Sequence, residues 1–262
     1  MKALGWAIVG TALGWALAAP AAPVARDEAF RAAETELPQF YPGDWTAADE
    51  VPLYDLSGDV AAYAFIFERA EKRAAAAETP AAFVARARAN VAAAGAEATG
   101  YETELRGEDR YATIVVAADI AEPPVLRCHL GLPGHVVRAA NALALAGKAK
   151  SGIGWRVSRS LMLGFFDEAF LLEPAAGTGE ALVVDLRTQA AVPESDARAR
   201  AQLRKAAAPD PERERACAEA WEPYRAAKAT AVVPLATPPP AGGAGKAAVV
   251  PPVPSGAKGG TP

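Results

Sequence analysis

The chain has 262 residues, a formal net charge of −4 and a pI near 5.4, so it lacks the basic footprint that nucleic-acid binding requires. Hydrophobic residues make up 52% of it, but alanine supplies many of them and buries little area, which leaves an adequate core for one domain. Charges of both signs interleave, as in Glu68-Arg69-Ala70-Glu71-Lys72-Arg73, the pattern of solvated helix faces.

Lys2 followed by an uncharged apolar run from Ala3 to Leu17, then small residues at Ala16-Leu17-Ala18 and Ala19-Pro20-Ala21, is the pattern of a cleavable export signal. Residues 1–22 are therefore read as a signal peptide and the mature protein as secreted or periplasmic. The apolar run is shorter than the ~20 residues of a membrane span, and Pro20 and Pro23 interrupt it. An uncleaved anchor is the alternative.

Residues 23–190 are read as one α+β domain, an antiparallel sheet packed by helices. Its first helix spans Ala25 to Leu37, with Phe30, Ala33 and Leu37 at helical spacing and Pro38 ending it. Val51–Leu56 and Val60–Phe67 form a hairpin around Ser57-Gly58-Asp59, with Ala61, Tyr63, Phe65 and Phe67 on its core face. Thr79-Pro80 opens a helix with Phe83, Ala87 and Val91 on one stripe. A second hairpin joins Tyr101–Leu105 to Arg110–Ala118, whose apolar run suits a strand covered on both faces. An extended link through Leu126 and Cys128 leads to a helix from Pro133 to about Gly147, with Val136, Ala140, Leu143 and Ala144 as its stripe. Trp155–Leu163, Glu168–Glu173 and Ala181–Leu186 then read as an antiparallel meander.

Residues 191–229 are read as a C-terminal helical segment. Ser195-Asp196 caps one helix and Pro209-Asp210-Pro211 starts another, on which Cys217, Ala220, Trp221 and Tyr224 share a face. Residues 230–262, punctuated by Pro238-Pro239-Pro240 and Gly242-Gly243, read as a disordered Pro/Ala/Gly-rich tail.

The chemistry-bearing residues assemble no catalytic, cofactor or metal constellation. His129 and His135 beside Cys128 match no closed zinc spacing and read as ordinary loop histidines. A Cys128–His129 catalytic pair is disfavoured, because adjacent strand residues point to opposite faces. Asp55, Asp59, Asp167 and Glu168 lie near turns, where polar residues are expected. Cys128 and Cys217 are the only cysteines and can form one disulfide in an oxidising compartment; two buried free thiols are the alternative.

Tyr111–Ala118, Pro123-Pro124-Val125-Leu126 and Gly131-Leu132-Pro133, with the upstream hairpin from Pro52 to Phe65, resemble the pro-domain and inhibitor modules of streptopain-type cysteine peptidases. The resemblance covers Val51 to Pro133 and implies a cystatin-like or PepSY-like fold that blocks or chaperones a peptidase. The chain departs from the pattern where a catalytic domain would follow, since helices and the tail stand there instead. The expected function is a non-catalytic exported binding protein that engages a peptidase or an extended peptide. A structural cell-envelope protein using its tail as a spacer is the alternative.

Overall fold

The computed structural model describes residues 22–73, 78–94, 105–164, 167–205 and 210–226. The signal-peptide reading, apart from Ala22, and the tail from 230 lie outside them. Among the described residues no helix is long and apolar enough to cross a membrane.

The fold is α+β, with helices packed on an eight-stranded sheet. Helix α1 (Arg26–Phe40) is followed by the hairpin of β1 (Trp45–Tyr54) and β2 (Val60–Arg69). The helix continues through Pro38 to Phe40, past its expected end, because a proline in a last turn forfeits only one backbone bond. The Asp55 carboxylate closes the hairpin by accepting the amides of Ser57, Gly58 and Asp59 at 2.7, 2.9 and 3.1 Å, and Gly58 takes φ +98°. Phe30 of α1 packs on Phe65 and Phe67 of β2 at ring separations of 5.3 and 6.1 Å, as strand alternation leads one to expect.

Helix α2 (Pro80–Ala94) is capped by the Thr79 hydroxyl, which accepts the Ala82 amide at 3.2 Å. The hairpin expected from Tyr101 to Ala118 is not formed as such. Residues 101–104 lie outside the description, and Leu105 and Arg106 are helical before the turn into β3 (Tyr111–Ala117). Strand β3 is buried along its whole length. The expected extended link is itself a strand, β4 (Val125–Leu130), paired antiparallel with β3.

A short helix α3 (Gly134–Val137) and helix α4 (Ala139–Ala149) replace the single helix expected from Pro133, with a break at Arg138. The break rotates the packing stripe, so that Ala142 and Ala146 are the fully buried residues of α4. Strands β5 (Trp155–Gly164), β6 (Asp167–Pro174), β7 (Leu182–Asp185) and β8 (Ala190–Pro193) form the expected meander with one extra strand. Helices α5 (Glu194–Lys205) and α6 (Pro211–Ala226) complete the fold.

The strand order is β4-β3-β2-β1-β5-β6-β7-β8, with every pairing antiparallel except β1 with β5. The sheet is thus two four-stranded meanders joined by one parallel contact. Helix α1 covers the face of the first meander that carries Phe65, Phe67 and Ile114; α2 and α3 cover the face with Ile66 and Tyr111.

Candidate functional site, the seam between the two half-sheets

Strands β1 and β5 are neighbours in the sheet, yet Tyr54 and Leu161 form their sole bridge pair. Centrally placed strands are ordinarily the best covered. Here β1 is only half-buried except at Leu53, and Arg156 to Arg159 of β5 are exposed, while β3 is fully buried. Pro52 in β1 fits this arrangement, because proline within a sheet is confined to edges and bulges. The two strands meet at Tyr54 and Leu161, and from there back to their starts no strand lies between them among the described residues.

The segment from Gly131 to Val137 holds the half-sheets in this relation. The Thr113 hydroxyl donates to the Gly131 carbonyl at 2.7 Å, and Leu132 N donates to the Arg106 carbonyl at 2.8 Å. These bonds fix the segment to the first meander, where Leu132 and Val137 pack with Ile66 and Tyr111. On the other side the His135 ring lies edge-on to Phe170 at 5.5 Å, and its Nε2 is 3.0 Å from the Leu161 carbonyl. Nε2 therefore carries the proton and donates. At Gly134 the backbone passes so close to the Glu168 carboxylate that a Cβ there would displace it.

Glu168 of β6 receives Arg127 of β4. Five strand spacings of ~4.8 Å separate β4 from β6 along a flat sheet, about 24 Å, well beyond the combined reach of the two side chains. The sheet must therefore curl until its first and sixth strands, β4 and β6, approach each other. Burial and the nearby charge of Arg106 both weigh against the Arg127 cation, which makes Glu168 its compensating partner.

Both histidines, expected as ordinary loop residues, are drawn into this region. His135 is buried, with Nδ1 4.0 Å from a Glu168 oxygen and without a hydrogen-bond partner. Burial, followed by backbone bonding that only partly compensates and by Arg127, holds it down to about 4. His129 is likewise held at about 4, by burial first and then by Arg127 and Arg106. The sequence marked neither approach to Glu168 or Arg127, because the partners lie 33 and 41 residues apart on different elements.

Cys128 and His129 do face opposite ways, since Cys128 is paired with Ile114 and His129 with Thr113 in adjacent ladder positions. Cys128 and Cys217 stand as free thiols, the alternative to a disulfide. The Cys128 thiol engages Tyr41 instead, and burial together with this neighbour raises the Tyr41 hydroxyl above its ordinary range. Asp55 and Asp59 line a cavity of about 610 Å³ with Asp119, Glu122 and Met162. Three of these acids serve the fold: Asp55 and Asp119 cap turns, and Glu122 pairs with Arg213 at 2.6 Å. Of Asp167, only its place in β6 is described. Among the described residues no group of three or more metal-type ligands comes together.

No known family model, curated protein or solved structure matches this chain. The seam must therefore be interpreted from its own geometry. Arg127 is paired with Glu168 and His135 Nε2 with the Leu161 carbonyl, while Arg127 Nε and His135 Nδ1 are buried without a hydrogen-bond partner; apart from Tyr54 and Leu161 no ladder pair joins β1 to β5 among the described residues.

Proposed function

We propose that this protein is an exported, non-catalytic binding protein that takes up an extended segment of a partner as an added strand in the seam. The observation that carries this reading is the single bridge between β1 and β5, which leaves both facing edges without a strand beyond it. Main-chain N–H and C=O groups along an edge demand partners, and an extended peptide supplies them whatever its side chains. The resemblance of residues 51–133 to peptidase pro-domains and inhibitors supports a peptidase as the partner class.

Hydrogen exchange on the full chain, with and without a panel of short unstructured peptides, tests the reading. Slowed exchange over residues 45–53 or 155–160 is expected with the peptides that bind. Unchanged exchange there across the panel, or protection confined to other elements, overturns it.

A further inference from the structure

We propose that the strand taken up in the seam is acidic and that it adds to β5 rather than to β1; this rests on the strand-uptake reading above. The two edges differ in how they are guarded. On β1, Pro52 has no N–H to donate, the ladder is broken by a bulge at Ala48, and the Glu50 amide is bonded to the Asp49 carboxylate at 2.8 Å. Proline, bulges and inward-held charges are the devices by which edge strands refuse partners.

The β5 edge from Trp155 to Ser160 contains no proline, and its one bulge falls at Ser158. Arg156 and Arg159 are cross-strand partners of Glu173 and Leu171, so the bulge brings both onto the same face. Both are exposed. The Arg159 guanidinium lies 5.7 Å from the Tyr54 ring, so its charge is held over the closed end of the seam. Glu173 is the carboxylate next to them, and it is engaged by Arg156 and Ser158 at 2.8 Å each. Arg156 is paired with Glu173, and Glu180 and Glu194 beside it are paired with Lys150 and Arg198, so the Arg159 guanidinium is the cation left over on this flank among the described residues.

A second copy of the chain fits poorly. Antiparallel pairing of two β5 strands in the register that opposes residues 156 and 159 would set arginine against arginine, and like charges across a ladder are destabilising. Glutamate or aspartate side chains on an incoming strand meet the arginines favourably. An antiparallel approach also continues the β5–β6–β7 meander.

The test uses the full chain and two N-acetylated peptides of alternating threonine and valine, one interspersed with glutamate and the other with lysine. The glutamate peptide is expected to slow exchange at 155–160 and to bind about tenfold more tightly at low salt, a margin that salt erodes. Arg156→Glu/Arg159→Glu should reverse the preference; Arg159→Gln, which adds no new charge, should narrow it. If neither peptide slows exchange at 155–160 or 45–53, the strand-uptake reading itself fails. If both bind equally, if protection appears on 45–53 instead, or if the arginine variants keep the wild-type preference, strand uptake stands and this inference is overturned.

Discussion

His135 shows how one buried ring ties pH to stability. In the folded chain it and His129 stay unprotonated down to about pH 4, whereas in the unfolded chain each takes a proton below about 6.5. The unfolded state therefore binds more protons in that window, and stability falls as pH drops from about 6.5 to about 4. Each ring accounts for on the order of 2 to 3 kcal/mol at the acid end. Denaturant unfolding at a series of pH values should show this decline, and His135→Gln, which keeps a donor for the Leu161 carbonyl, should flatten it by roughly half. A wild-type stability independent of pH between 7 and 4.5 would refute the assignment. The composition around these residues offered no hint, because the sequence shows a histidine's neighbours along the chain and not the carbonyl or carboxylate that folding brings to it.

At the scale of elements, α6 follows from the helical spacing of its large apolar residues. Trp221 and Tyr224 pack with α1 and the first meander and Cys217 is buried, although Ala220 is exposed. Trp221 is fully buried and its indole N–H donates to the Glu122 carbonyl at 2.9 Å; Tyr224 bonds Glu36 at 2.5 Å. Trp221→Ala should cost about 3 to 5 kcal/mol, the range for deleting a large core aromatic. Chemical denaturation measures the loss, and a cost under 1 kcal/mol would mean that α6 is not part of the cooperative core. Strand β8 was missed for an equally local reason. Ala190, Ala191 and Pro193 have low strand preference, and only the free edge of β7 holds them extended. The break at Arg138 was missed as well: Arg138 Nη1 donates to the Leu186 carbonyl at 3.1 Å, a tie made after the chain has folded.

At the scale of the molecule, the Arg127–Glu168 pair ties β4 to β6 in a sheet whose two halves share a single ladder pair. Replacing one partner leaves the other charge partly buried and alone, a change worth about 3 kcal/mol in such settings. Arg127→Met should therefore destabilise the fold and raise hydrogen exchange at 161–164 and 125–130 ahead of α1 and β3. Arg127→Met with Glu168→Gln should recover part of the loss. Additive losses, or exchange that rises uniformly, would show that the pair does not tie β4 to β6.

The sequence alone determined most of the element list, because helical and strand periodicities are written in residues a few positions apart. It placed α1, the β1–β2 hairpin, α2, the β5–β7 meander and α6, and it assigned the α+β class. It could not place the seam. That depends on which strand lies beside β1 at Tyr54, on Arg127 reaching Glu168 and on His135 reaching Leu161, and each joins segments far apart in the chain. Such pairings are selected by the packing of whole half-sheets, whose burial no local window contains, so the tertiary structure alone decided where the backbone edges are left open.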